Sequence, residues 1–330
     1  MRQNTFYLVK PLGFSLVELM VAMVISLFLT AGLLSMFSMS SSNVTTTSQF
    51  NQLQENGRIA LALVERDVSQ VSFMADLTGT DLNVGVNTSI LAAAIPAGSD
   101  CIGGGPNNAS LPASGTSTNF RKLWGYESGV GAESIACLAS VVANTDVLQI
   151  KRLVGPATTS FNNNRYYMGT SNNQAIIFAG NQTPPTIDNG RFWEYQHHIY
   201  FIEMSNGVPV LMRRVLGVGG MSSANSVEEL VEGVENFRVM YGFDINGDNS
   251  ADSFMPAANV TSPMWDGMPN QRLVALRLYL LIRTVEEDNS YTDTQTYELG
   301  DKSIAAANDG FRRRVLSTTI VLENPILVGS

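Results

Sequence analysis

Histidine and cysteine are scarce in this chain, with two of each in 330 residues. The histidines, His197 and His198, are adjacent in a strand-like segment, where neighbours point to opposite faces and cannot easily chelate one metal together. There is no HExxH, no GxSxG, no Walker loop and no GxGxxG on a strand–turn–helix. These absences exclude the common catalytic constellations, and no enzyme is expected. Charge is sparse too: 15% of residues, with acid exceeding base by nine and a pI near 4.8. An acidic balance of this kind opposes nonspecific phosphate binding, so nucleic acid is not an expected partner. Lys and Arg are missing altogether between Lys10 and Arg58.

An apolar run fills the front of that gap. Phe14 to Phe37 is 24 residues with one charge, Glu18. As a helix it reaches ~36 Å, against a ~30 Å hydrocarbon core. Arg2 and Lys10 precede it, which keeps residues 1–13 in the cytoplasm and sends the rest across the membrane. A secretory signal peptide has a shorter apolar core followed by a small-residue cleavage site; here the core is long and Gly13 lies before it. A plain anchor explains the length but not Glu18, since an acid inside a spanning helix costs ~2.5 kcal/mol or more and usually marks function.

Gly13-Phe14-Ser15-Leu16-Val17-Glu18-Leu19, behind a short basic leader, resembles the class III signal of type IV prepilins and pseudopilins. The resemblance implies cleavage after Gly13 by a membrane prepilin peptidase and N-methylation of Phe14. It also implies that Glu18, fifth residue of the mature chain, pairs in the filament with the α-amino group of a neighbouring subunit's Phe14. A buried charge needs a partner, and this one exists only on assembly. Loss of the leader leaves 18 basic against 29 acidic side chains, a net charge of −11.

Behind the span, Phe50, Leu53, Gly57, Ala60, Leu61, Val64, Val68 and Val71 recur at helical spacing, with Glu55, Arg58, Glu65, Arg66 and Asp67 mostly off the stripe. Residues 40–48 are poor helix formers and read as a softer joint; Gly57 reads as a close-packing point or weak spot. Residues 76–145 have loop composition, as in Gly103-Gly104-Gly105-Pro106. They contain both cysteines, Cys101 and Cys137, which in an exported chain most simply form one disulfide, worth ~3–4 kcal/mol by loop closure; two free thiols are the alternative. Strands are predicted at Val147–Val154, Gln174–Ala179, His197–Met204, Val208–Val215, Phe237–Phe243, Arg272–Val285 and Phe311–Leu322. Asn206-Gly207 marks a hairpin, and Ser226–Asn236 reads as a short helix. With no crossover helices between strands, the fold class is α+β: a long N-terminal helix packed on an antiparallel β-rich domain. Asp288 and Asp293 read as solvated loop acids, and Arg312-Arg313-Arg314 as surface ion pairs or a subunit contact.

Gln54-Glu55-Asn56-Gly57-Arg58-Ile59-Ala60-Leu61, Tyr241-Gly242-Phe243-Asp244-Ile245-Asn246-Gly247-Asp248 and Asp309-Gly310-Phe311-Arg312-Arg313-Arg314-Val315-Leu316 resemble a minor pilin of the PilW type. The implied organisation is leader 1–13, filament-core helix 14–37, amphipathic continuation 38–75, loop-rich insert 76–145 and pilin domain 146–330. The implied function is priming of type IV pilus assembly, supporting twitching motility and adhesion. The implied partners are other minor pilins and the major pilin, the prepilin peptidase, the inner-membrane assembly platform and a tip adhesin. The implied location is the inner membrane with a periplasmic C-terminal domain, then the filament tip. A J-type pseudopilin of type II secretion shares this architecture, and a membrane-anchored, calcium-responsive adhesin is an alternative of another class. Calcium is the one candidate cofactor. Asp244, Asn246, Asp248, Ser250 and Asp252 place oxygens at positions 1, 3, 5, 7 and 9 of a calcium loop, but position 6 is Asn249 and position 12 is Met255. An ion-free Asp/Asn/Gly loop is the alternative.

Overall fold

The structure, a computed structural model, describes residues 13–96, 98–114, 119–267 and 271–324, so the expected leader lies outside it except for Gly13. Helix α1 comprises Leu16–Val68. Residues 40–48 are helical throughout, because a low intrinsic propensity of up to ~0.7 kcal/mol per residue does not break a long hydrogen-bond ladder. The chain divides into two bodies, residues 1–51 and 52–330. In the first, every described residue from Gly13 to Ser41 is solvent-exposed in the isolated chain.

The second body contains two principal sheets. The larger comprises β1 (Thr88–Ile90), β2 (Leu123–Glu127), β3 (Asp146–Val154), β4 (Tyr166–Ser171), β5 (Gln174–Ala179), β6 (Arg191–Ser205), β7 (Val208–Val215) and β8 (Val227–Glu232), in the order β1-β5-β4-β6-β3-β2, with β7 and then β8 continuing from β6. The smaller has the order β10-β9-β11-β14, from β9 (Val234–Asp244), β10 (Ser253–Pro256), β11 (Arg272–Arg283) and β14 (Arg313–Val321). A hairpin of β12 (Tyr297–Leu299) and β13 (Lys302–Ile304) completes the set, and α2 (Ser262–Trp265) is a single turn. Every strand pair is antiparallel except β1 with β5. The β6–β7 turn has Asn206 at φ 50° and Gly207 at φ 82°, the positive pair that a two-residue hairpin turn requires.

Strand β3 shows how the core is arranged, since it is buried on both faces from Asp146 to Leu153. Leu148 and Ile150 face one core, which they share with Leu53, Ala60, Val64 and Val68 of α1 and with Phe237, Leu278 and Ile282 of the smaller sheet. Val147 and Leu153 face a second core with Met74, Leu77, Phe120, Trp124 and Ile135. The 76–145 segment, expected as an irregular insert, therefore supplies β1, β2 and the cover of this second core. Polar clamps rather than long ladders hold it there. Arg121 Nε donates to Asp266 Oδ1 at 2.7 Å and Arg121 Nη1 to Gly104 O at 2.5 Å, while Thr170 Oγ1 donates to Asp76 Oδ2 at 2.7 Å. Cys101 and Cys137 form a disulfide in this cover.

Gly57 is a close-packing point, since a Cβ there would lie 2.1 Å from Leu316 Cδ1 and 3.3 Å from Ile282 Cγ1. Ser226–Asn236 is not a helix. It forms β8 and the start of β9, divided by Gly233 at φ 81°. Glu228, which suggests helix locally, lies opposite Arg213 on β7, with Nη2 donating to Oε2 at 2.6 Å; cross-strand pairing overrides propensity.

Candidate functional site

Two groups of residues carry chemistry, one in each body. In the first, the Ser15 N–H donates to Glu18 Oε2 at 2.8 Å and the Glu18 N–H donates to Ser15 Oγ at 3.2 Å. This reciprocal pair is a capping box and sets the start of α1. It leaves Gly13 and Phe14 ahead of the helix, with open space around Gly13 and Phe14 85% exposed. Beyond it the exposed side chains are mostly apolar to Met39, and two of the polar ones bond within the helix: Ser26 Oγ donates to Ala22 O and Thr30 Oγ1 to Ser26 O, each at 2.7 Å. Hydroxyls satisfied inside their own helix are compatible with a hydrocarbon environment. The helix is long and apolar enough to cross a membrane.

In the second body the functional end of α1 is Asp67. Its carboxylate, 4% exposed, accepts from Arg152 Nη2 at 2.6 Å, from Tyr200 Oη at 2.5 Å and from His198 Nδ1, with Arg213 Nη1 at 3.9 Å. Arg152 also donates to Gln70 Oε1 at 2.6 Å. Burial opposes the charge on Asp67, but the bonds from His198, Arg152 and Tyr200 outweigh it and hold the carboxyl well below its usual range. Asp67 is thus the pin between the last turn of α1 and strands β3 and β6. Its place off the apolar stripe suggests a solvated face; the missing signal is that Arg152 and His198 come to meet it from 85 and 131 residues away.

His197 and His198 do point to opposite faces. His197 Nδ1 sits 3.0 Å from Ser110 Oγ, and its Nε2 is buried without a hydrogen-bond partner among the described residues. Burial pushes both imidazoles below the usual histidine range, with the Lys151 charge adding to the effect at His197. Below pH 6.5 unfolded histidines take up protons more readily than these two, so their contribution to stability is retained above that pH and declines as pH falls below it. Denaturant midpoints of the detergent-solubilised chain are expected to fall from pH 6.5 downward; a flat profile to pH 5 contradicts this.

Asp293 departs from the solvated loop acid that the sequence suggests. It is fully buried, accepting from Arg313 Nη1 at 2.8 Å and Tyr297 Oη at 3.0 Å. Arg313 is itself nearly enclosed, and Asp309 and Glu235 complete its shell. Asp288, half-buried, pairs with Arg312 at 2.9 Å, one of the ion pairs expected of the arginine run. A strand-alternation argument does not see the burial of Asp293 and Arg313.

Residues 10–34 match the family model for the prokaryotic N-terminal methylation motif. Residues 199–324 match the model for type IV pilus-assembly protein W. Over these two stretches the chain is similar to a type IV pilin-like protein of the PilW type. Pilin-family proteins are structural, non-enzymatic components, and the two matches imply involvement with prepilin processing and with other pilus components. A type IV-like pilin from Thermus thermophilus shares 15% identity with it at a TM-score of 0.35, covering 83% of this chain and 97% of that one. No curated protein matches the chain.

The loop of Asp244, Asn246, Asp248, Ser250 and Asp252 is closed by its own hydrogen bonds. Asp244 accepts from the N–H groups of Gly247 at 2.6 Å and Asn249 at 3.0 Å, and from Arg272 Nη2 at 3.0 Å. Asp252 accepts from the Ile245 N–H at 2.8 Å and Asn246 Nδ2 at 2.9 Å, and Asp248 from the Ser250 N–H at 2.8 Å. Arg272 also reaches Asn249 Oδ1 at 2.7 Å, so a guanidinium stands where the loop's charge would draw an ion. Among the described residues no group of three or more His, Cys, Asp or Glu is arranged to hold a metal.

Proposed function

We propose that the chain is a minor pilin that primes type IV pilus assembly together with other minor pilins. It enters the inner membrane through α1 with its β-rich domain periplasmic, loses residues 1–13 after Gly13 to prepilin peptidase, is methylated at Phe14, and joins the filament tip through α1. The observation that carries this reading is the lone Glu18 directly behind an accessible Gly13–Phe14 peptide at the head of an uninterrupted apolar helix. A single acid in such a helix calls for a cationic partner, and the freed α-amino group of a neighbouring Phe14 supplies one. Twitching motility and adhesion through a tip adhesin follow from loss or gain of pili.

Deleting the gene is expected to abolish surface pili and leave type II enzyme secretion intact; the reverse pattern identifies a J-type pseudopilin instead. Gly13→Ala is expected to give the deletion phenotype, with residues 1–13 retained on immunoblots. Full function of that variant indicates a membrane-anchored adhesin that needs no assembly.

For the Asp244–Asp252 loop, the arrangement supports charge neutralisation by Arg272 in place of calcium. Millimolar calcium is expected to leave the melting midpoint of the wild-type chain unchanged and to give no heat in calorimetry. A clear upward shift contradicts this reading and restores the loop as a cation site.

A further inference from the structure

Strands at the margin of a sheet are usually short, charged or interrupted by Pro, which keeps them from pairing with other chains. Four of the marginal strands here fit that rule. β1 has three residues, β10 has four and ends in Pro256, β2 is buried over its first four positions, and β8 carries Glu228, Glu229 and Glu232. β14 does not fit. It has nine residues and pairs with β11 on one side only. From Val315 to Val321 it has no charge, Gly or Pro, and Val315, Thr318, Thr319, Ile320 and Val321 are β-branched strand formers.

The register identifies the free groups. The Leu322 N–H donates to Val274 O and the Thr284 N–H to Arg312 O, which continue the ladder past both ends of β14. Antiparallel bonding alternates along a strand, so the even-numbered residues of β14 bond to β11. Val315, Ser317, Thr319 and Val321 turn their N–H and C=O groups outward, where no backbone group of another described residue meets them. Two guanidiniums flank this edge. Arg314 is exposed, and Arg277, opposite Thr319, donates from Nε to Thr319 Oγ1 at 3.1 Å and lies 4.1 Å from the Phe254 ring centroid. Neither has a carboxylate at salt-bridge distance among the described residues, in a chain whose acids exceed its bases by nine. Leu316 of the same strand packs on Gly57 of α1, so the open edge adjoins the helix through which assembly is proposed.

We infer that β14 receives an extended, acidic segment of a neighbouring pilus subunit as an added strand of the smaller sheet; this rests on the assembly reading above. Main-chain bonds to Val315, Ser317, Thr319 and Val321 hold the segment, and its carboxylates beside Arg277 and Arg314 fix register and partner choice. A second copy set β14 against β14 brings four unpaired guanidiniums to one seam, and like charges across strands repel.

The test is co-purification of full-length variants with sheared pili from cells that make the wild-type partners. The Ser317 N–H faces outward, so Pro there spares the β11 ladder and blocks only the added strand. Ser317→Pro is expected to keep the wild-type melting midpoint and cleavage after Gly13, yet to fall about tenfold or more in pili. Ser317→Ala is expected to incorporate normally. Arg314→Glu, which leaves the backbone alone, is expected to fall about tenfold and Arg314→Lys to be retained; if Ser317→Pro melts early, the Arg314 pair decides. Both native cysteines are paired, so Ser317→Cys can carry a thiol-anchored photo-crosslinker. It is expected to join an acidic segment of a different pilus subunit, read from the masses of the linked peptides. Full incorporation of either folded variant while wild type is present in pili overturns the added strand and leaves assembly through α1 standing. A crosslink to a second copy of this chain, or to no pilus subunit, also overturns it. Absence of the wild type from pili overturns the assembly reading, and this inference with it.

Discussion

Glu18→Ala is expected to lower incorporation of this subunit into filaments about ten- to hundredfold, measured by co-purification with sheared pili from cells that also express the wild-type partners. In the isolated chain Glu18 is engaged, among the described residues, with Ser15 through bonds at 2.8 and 3.2 Å. That capping box is worth about 1 kcal/mol. A hydrogen bond between ionised groups in a dry interface is worth roughly 1.5–3 kcal/mol, which is the predicted factor at about 1.4 kcal/mol per decade. Two companion variants separate capping from charge. Glu18→Gln keeps an acceptor at the third position of the box but removes the charge, so it is expected to fail in assembly as Glu18→Ala does. Ser15→Ala weakens the cap and keeps the charge, and is expected to assemble nearly normally. If Glu18→Gln assembles like wild type, the role of Glu18 is local capping. Cleavage after Gly13 is expected to proceed in all three variants.

Asp67→Asn carries the largest expected loss of stability. Removing this charge leaves Arg152, 5% exposed, without its carboxylate and takes the acceptor from His198 and Tyr200. Breaking a buried pair from one side typically costs about 3–5 kcal/mol, which for a body of this size corresponds to a melting decrease of roughly 10 °C. Asp188→Asn, at an exposed position, is the control and should shift stability by less than about 0.5 kcal/mol. The Asp67 variant should also expose the C-terminal turns of α1 to amide exchange before the sheets, since Asp67 pins that end. Equal stability of the two variants would show that the apolar contacts of Val64 and Val68 hold the helix by themselves. The double variant Asp67→Asn with Arg152→Met should recover part of the loss, because it removes the stranded charge.

Local patterns revealed much of this architecture. Three- and four-residue spacing from Leu53 to Val68 located the buried face of α1, and Asn206-Gly207 located the β6–β7 turn because a two-residue hairpin demands positive φ at both positions. Gln174–Ala179 was legible as a strand for its run of β-favouring apolar residues. What escaped depends on partners distant in sequence. Glu228 reads as a helix residue until Arg213 lies across from it, and Asp67 and Asp293 read as solvated until their counter-charges are gathered from several elements. The 76–145 segment lacks periodicity because its order comes from side-chain clamps such as Arg121–Asp266 and from apolar residues inserted singly into the second core. The alternation of oxygen side chains from Asp244 to Asp252 was visible in the sequence, but the bonds of Arg272 to Asp244 and Asn249, from 28 and 23 residues away, were not.

The central claim is that this chain works as a cleaved subunit joined to others through the head of α1. The most direct measurement is the mass of its N-terminal peptide recovered from sheared pili. The account predicts a chain beginning at N-methylated Phe14, with no trace of residues 1–13. Recovery of the protein only from membranes, with Gly13 still joined to Phe14 in cells that make normal pili, would contradict it.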